Sequence, residues 1–246
     1  MSETDTAVSL RKPGPQRPRD AATLIIVDRA GGEPRLLMGK RALSQAFMPG
    51  KYVFPGGRVD KGDRTIVSAD ELEPAETAKL LVGMRGPPSP ARARALALAA
   101  IRETYEEAGL VIGARMPARP RIVAAGWQEF VAQGFLPKLG ALTFFARAIT
   151  PPGRPRRFDT RFFCAEASAI AHRVAIEDGE LESVAWFPIE ETRALDLPAI
   201  TRVVIEDLLD RLESGSLAAP DLPVPFYHHR NGSFRRELLT LSHDGD

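Results

Sequence analysis

The chain has 246 residues, more than one compact domain of about 100–150 residues needs. Hydrophobic residues make up 44% and charged residues 26%; 33 Lys and Arg against 32 Asp and Glu leave a formal net charge of +1, which disfavours a binder that works by neutralising nucleic-acid phosphates. A single cysteine, Cys164, excludes an intrachain disulfide framework and a cysteine-built zinc site, and no apolar run approaches the roughly 18 residues of a membrane span.

Residues 1–18 are polar, with Pro13, Pro15 and Pro18 among basic residues, and read as a mobile tail. They lack the apolar core of a signal peptide, so the expected compartment is the cytoplasm. Ala22–Val27 is a short, partly β-branched apolar run that fits a buried strand. Gly31-Gly32 marks a turn, and Arg35–Lys40 reads as a second strand paired with the first. Tyr52-Val53-Phe54 leads into Pro55-Gly56-Gly57, where the backbone must turn sharply.

Pro74–Met84 fits a short helix, with proline tolerated in its first turn. The next helix is the best punctuated: Ser89 as N-cap, Pro90 at the first helical position and Gly109 just past the end. Trp127–Phe135 is a further short helix candidate. Leu142–Ile149, Arg161–Ala165 and Val184–Phe187 read as strands. Pro188 starts a helix ending near Leu195, and Pro198–Leu212 is amphipathic through Ile200, Val203, Val204, Leu208 and Leu212. Strands that precede, separate and follow helices imply a mixed α/β (α+β) domain.

The sharpest chemical signal is Arg102-Glu103-Thr104-Tyr105-Glu106-Glu107-Ala108-Gly109-Leu110. On a helix Glu103, Glu106 and Glu107 share one face. Three converging carboxylates repel unless a cation sits among them, and hard divalent cations prefer oxygen ligands. Negative charge at a helix C-terminus also opposes the macrodipole, a local rule broken in a way that points to function.

This segment resembles the Nudix hydrolase box, G-x5-E-x7-R-E-U-x-E-E-x-G-U with U apolar. Arg102, Glu103, Glu106, Glu107, Gly109 and Leu110 match its second half, and Thr104 takes an apolar position. Gly57 takes the leading glycine, and Asp63 stands where the family has Glu. Family spacing would put the arginine at position 71; it stands at 102, so 31 extra residues, covering most of 64–94, interrupt the box. A branch that includes peroxisomal coenzyme A diphosphatases also interrupts its box. The upstream pattern of its coenzyme-A-cleaving members is met at Arg41, Ala42, Gly50 and Phe54–Gly57, while Ala46 replaces its second arginine.

The resemblance implies an α-β-α sandwich around a mixed sheet, spanning 19–220, with 221–246 as a C-terminal extension. It implies hydrolysis of a nucleoside diphosphate derivative with Mg²⁺ or Mn²⁺. Coenzyme A or acyl-coenzyme A is the first choice. ADP-ribose or a dinucleotide is the alternative, and a nucleotide-binding regulator without turnover is the reading from another class. Glu103, Glu106, Glu107 and the Gly56 carbonyl would hold the metals, and Arg102 would orient the carboxylates. The general base is a box Glu such as Glu103, or Glu180 or Glu182 from a later loop. Arg41, Gly57 and Arg157 are the expected substrate contacts, with Arg154, Arg156 and Arg161 as further phosphate candidates. Trp127, Phe130 and Cys164 read as packed residues. His228-His229 is a weak metal candidate, because neighbouring strand residues face opposite ways. The expected partner is a small nucleotide-type substrate, with no nucleic acid and no membrane; a homodimer is left open.

Overall fold

The computed structural model of the protein describes residues 16–45, 48–118, 120–176, 179–215, 217 and 222–241. Most of the expected tail lies outside them, as do Ala46 and both ends of the C-terminal segment.

The first apolar run forms β1 (Arg19–Asp28), and the glycine turn leads back into β2 (Arg35–Arg41). Their ladder is short, with pairs Val27↔Leu36 and Asp28↔Arg35. The strands then part. Into the wedge come β3 (Tyr52–Val53), paired with β2, and β4 (Gly56–Arg58), paired with Ala21–Thr23 of β1. This brings Gly56 against the middle of the sheet, where a Cβ would stand 2.6 Å from the Ala22 carbonyl oxygen. No residue but glycine fits that approach.

Next come α1 (Pro74–Leu81) and α2 (Pro90–Ala108). The Ser89 hydroxyl accepts from the Arg92 N–H at 3.2 Å, and Gly109 closes the helix at φ 66°. Both ends stop where the sequence places them, because capping is local chemistry. After β5 (Leu110–Arg115) come α3 (Gln128–Ala132), β6 (Phe135–Pro137), β7 (Thr143–Ile149), β8 (Phe158–Glu166) and β9 (Ile170–Arg173). The chain then forms β10 (Leu181–Pro188), α4 (Ala199–Glu213), β11 (Val224–Arg230) and β12 (Ser233–Leu239).

The main sheet runs β10-β2-β1-β8-β7-β11-β12, with β3 and β4 attached to β2 and β1. The β1–β8 and β7–β11 pairs are parallel; the other neighbours along this order are antiparallel. Alternation along β1 divides the core. Ala22, Leu24 and Ile26 pack with α2 through Ala93, Leu96, Ala97 and Ala100. Ile25 and Val27 pack with α4 through Val204, Ile205 and Leu208. Each fully buried Leu or Ile contributes about 1.5–3 kcal/mol, so both helices are held firmly to the sheet. The result is the expected α-β-α sandwich. Among the described residues no helix is long and apolar enough to cross a membrane.

The 31-residue interruption is packed rather than looped out. Ile66, Leu72, Leu80 and Met84 join the α2 core. The Asp70 carboxylate accepts from the N–H groups of Leu139 and Gly140, and Glu76 accepts from the Phe144 N–H at 2.6 Å. Arg147 grips Asp159 with two bonds of 2.8 Å and donates to the Gly83 carbonyl at 2.7 Å.

Several elements differ from expectation. The helix predicted over Trp127–Phe135 is one short turn, since Gly134 at φ 86° breaks it and Phe135 starts β6. The helix after Pro188 is a 3-10 turn over Ile189–Ala194. Strands β5 and β9 were not expected; they build a small sheet in the order β6-β5-β9. The segment expected as an extension supplies β11 and β12, with β11 paired to β7 inside the main sheet. Its turn is Asn231-Gly232, both at positive φ (52° and 78°), the hairpin type that a two-residue loop favours.

Candidate active site

The two halves of the interrupted motif meet through Asp63 and Arg102. Asp63 sits in a 3-10 turn (Gly62–Arg64) that follows β4 and faces the last turns of α2. Arg102 donates from Nε to Asp63 Oδ1 at 2.8 Å and from Nη2 to Oδ2 at 3.1 Å. Both side chains are buried, at 4% and 0% exposure. Asp63 takes two more donors: the Trp127 indole Nε1 at 3.0 Å and the Asp60 backbone N–H at 2.7 Å. A fully buried carboxylate with four donors is satisfied. Trp127 was expected only as packing, and its ring does pack on Phe130. The available signal was that a buried indole needs an acceptor.

Arg102 also donates to the Arg58 carbonyl at 2.9 Å and to Glu106 Oε2 at 2.7 Å, and its Nη1 lies 3.1 Å from Glu103 Oε1. Burial alone would depress the guanidinium's pKa. The Asp63 hydrogen bonds and the charges of Glu103, Asp63 and Glu106 outweigh it and hold the group above its ordinary value. Arg102 is therefore the hub that orients the turn and two glutamates. Thr104, at the apolar motif position, is wholly buried and spends its hydroxyl on the Ala100 carbonyl at 2.7 Å.

The glycines set the glutamates. The Gly56 N–H donates to Glu107 Oε2 at 2.9 Å, and a Cβ on Gly57 would meet the Glu103 carboxyl at 2.4 Å. Glu103, Glu107, Gly56 and Gly57 thus form one contiguous patch. Burial pushes the Glu103 pKa up to about 7, with Arg102 opposing. Burial pushes Glu107 up to about 8, opposed by the Gly56 N–H and reinforced by the Glu103 charge. Glu106 is raised for the same first reason.

Among the described residues no three acidic, His or Cys side chains form a ready metal cage. Glu106 is turned to Arg102, and one Glu107 oxygen to the Gly56 N–H. The donor set still fits a hard divalent cation. It offers oxygen donors only, and burial disfavours the charged forms of its Glu103 and Glu107 carboxylates, a cost that a bound cation would offset.

Of the two later-loop glutamates, the structure brings Glu180 to this patch and leaves Glu182 away from it. Glu180 lies 3.1 Å from Arg41 Nη2, and the charges of both act on Glu107. Gly179 beside it lies against α2, where a Cβ would be 3.6 Å from the Glu107 carbonyl oxygen. Glu182 falls in the register shift between Leu181 and Ser183, which turns it out to solvent. Arg41 itself is near the patch, with its side chain 13% exposed.

The other basic candidates are engaged elsewhere. Arg157 donates to the carbonyls of Thr150 and Gln16, tying the β7–β8 loop to the start of β1. Arg161 is 1% exposed and paired with Asp159, so it is a core charge and not a surface phosphate contact. Arg154 and Arg156 are exposed on the β7–β8 loop. His228 and His229 lie on β11, where His228 sits 3.1 Å from Glu237. Cys164 is buried, as expected.

No protein-family model matches the chain. It is 26% identical to the acyl-coenzyme A diphosphatase NUDT19 of Gallus gallus, over 68% of this chain and 60% of that protein. It is 28% identical to the acyl-coenzyme A diphosphatase NUDT19 of Homo sapiens, over 62% of this chain and 56% of that protein. The chain thus spans less than two thirds of the length of these relatives. Among solved structures it is similar to a NUDIX hydrolase from Alicyclobacillus acidocaldarius. The TM-score is 0.58 and the identity 26%, over 82% of this chain and 97% of that one. That likeness runs almost the full length of a solved Nudix hydrolase, and Asp63 and Arg102 close the interrupted box in space, so the chain is similar to Nudix hydrolases in both fold and motif.

Proposed function

We propose that this chain is a divalent-metal-dependent diphosphatase acting on coenzyme A or an acyl-coenzyme A. The observation that carries the chemistry is the Glu103–Glu107 pair against Gly56 and Gly57, drawn out of water on one helix face and anchored through Arg102. The substrate class rests on the names of the curated relatives and on Arg41, Ala42, Gly50 and Phe54–Gly57, which follow the coenzyme A pattern.

Glu103, Glu106, Glu107 and the Gly56 carbonyl would hold Mg²⁺ or Mn²⁺. Bound there, such a cation supplies Lewis-acid polarisation of phosphate oxygens and a more acidic water. The protein's own part is positioning and charge. Arg102 fixes the helix carboxylates against the turn at Asp63. Gly57, having no side chain, leaves room for the Glu103 carboxylate and for close approach of a diphosphate. Arg41 supplies a guanidinium suited to bidentate contact with a phosphate, and Glu180 beside it is the carboxylate placed to take a proton from water.

The test is a panel of coenzyme A, acyl-coenzyme A, ADP-ribose, reduced dinucleotides and nucleoside triphosphates, each with Mg²⁺ or Mn²⁺. Cleavage of coenzyme A or its acyl form in preference to the others supports the reading. Cleavage of ADP-ribose with coenzyme A left intact rejects the substrate but keeps the chemistry. Tight nucleotide binding with no cleavage of any compound rejects both.

A further inference from the structure

The β12 strand is a free edge of the main sheet: among the described residues it pairs with β11 alone, through all seven positions and without a bulge. The two-residue turn decides which backbone groups are free. The pair next to it, Arg230↔Ser233, exchanges hydrogen bonds, so Arg235, Glu237 and Leu239 also bond inward to β11. Phe234, Arg236 and Leu238 therefore present their N–H and C=O groups outward. Their side chains share the face of α4, where Arg236 pairs with Asp207 at 3.2 Å. Phe234 and Leu238 stand on either side of it, 50% and 52% exposed. Arg235 and Glu237 occupy the opposite face.

We propose that β12 pairs antiparallel with β12 of a second copy of this chain, about a two-fold axis at Arg236, joining the two main sheets. The strand is complementary to itself in that register. Phe234 opposes Leu238, and Arg235 opposes Glu237, each twice by symmetry. The outward groups of Phe234, Arg236 and Leu238 form the ladder, which places Arg235 and Glu237 in the closer, non-hydrogen-bonded pairs. Moving the axis one residue either way would set Arg235 against itself or Glu237 against itself. The two Arg236 side chains that meet at the axis are each already paired with Asp207.

A second observation fits the same register. Beside the strand lies a groove of about 180 Å³, lined by the apolar Leu222, Pro223, Pro225 and Leu238 together with Arg236 and charged residues of α4. A Phe234 ring from the second copy, lying opposite Leu238, would cover it. Charged residues on an edge often guard against pairing. Here the charges are of opposite sign and fall opposite one another, which favours pairing instead.

Sedimentation equilibrium of the full chain tests the interface. The expected mass is twice 26.8 kDa at micromolar concentration. Glu237→Arg is expected to give a monomer, and the charge-swapped double variant Arg235→Glu with Glu237→Arg to return the dimer. Circular dichroism checks that each is folded. Arg236→Cys should form a symmetric intermolecular disulfide, since facing Cα atoms at about 5.5 Å lie within disulfide range. Buried Cys164 would not compete. A wild-type monomer overturns the proposal. So does a dimer indifferent to Glu237→Arg, or a charge-swapped variant that stays monomeric.

Discussion

Asp63 and Arg102 are 39 positions apart in sequence, yet their side chains meet in two hydrogen bonds inside the protein, at 2.8 and 3.1 Å. The bond pair rejoins a motif that 31 residues interrupt. Removing one partner from such a buried pair leaves a charge uncompensated, which costs about 3–5 kcal/mol. Asp63→Ala is therefore expected to lower the free energy of unfolding in urea by that order and to abolish turnover. A variant of wild-type stability would show that the pair does not hold the turn to the helix.

The Gly57→Ala variant separates site geometry from folding. Its new methyl would stand 2.4 Å from the Glu103 carboxyl, the mobile end of a side chain, so the carboxylate moves and the backbone need not. A displacement near 1 Å in a catalytic constellation costs about 10²-fold in rate. Steady-state kinetics should show that loss, with a melting temperature close to wild type. Unchanged kcat would remove Glu103 from the working centre.

Glu180 and Glu182 provide a matched pair of substitutions. Glu180 lies against Arg41 and acts on Glu107, whereas Glu182 is turned out by the register shift in β10. Losing a general base costs about 10²–10⁴-fold. Glu180→Gln is expected to lose kcat in that range and Glu182→Gln to keep it. The reverse result would reassign the base to Glu182.

Cys164 gives a pH-dependent prediction. Burial, with the Glu166 charge adding to it, pushes its thiol up to about 12 from an ordinary 9.0. Below pH 9 both folded and unfolded chains keep the proton. Between pH 9 and 12 the unfolded chain loses it first, binds fewer protons, and is favoured as pH rises. Stability should therefore fall by about 1 kcal/mol between pH 8 and pH 10 through this group. Urea unfolding of wild type and Cys164→Ala at both pH values checks it; equal falls in the two proteins would contradict the assignment.

The readable parts of the sequence were those governed by neighbours along the chain. Ser89, Pro90 and Gly109 bound α2 because capping acts within one turn. The carboxylate face of Glu103, Glu106 and Glu107 follows from helical spacing alone. The unread parts depend on distant partners. That Trp127 would donate to Asp63 across 64 positions, or that Glu76 would accept from the Phe144 N–H across 68, has no local sign. The way the interruption packs is non-local in the same sense: its polar residues satisfy backbone groups of β7 and the turn before it. Strand β11 was missed because pairing with β7 is non-local, but the Asn231-Gly232 turn between β11 and β12 was a readable signal.

The most direct measurement compares coenzyme A cleavage by wild type and by Glu106→Gln across a titration of Mg²⁺ or Mn²⁺. Glu106 is 42% exposed, so the neutral replacement should leave the fold intact. Cleavage by wild type that depends on added metal, with turnover lower by orders of magnitude in the variant, is the expected result. Equal turnover in the two proteins, or wild-type cleavage indifferent to metal, would contradict a centre built on the carboxylates of α2.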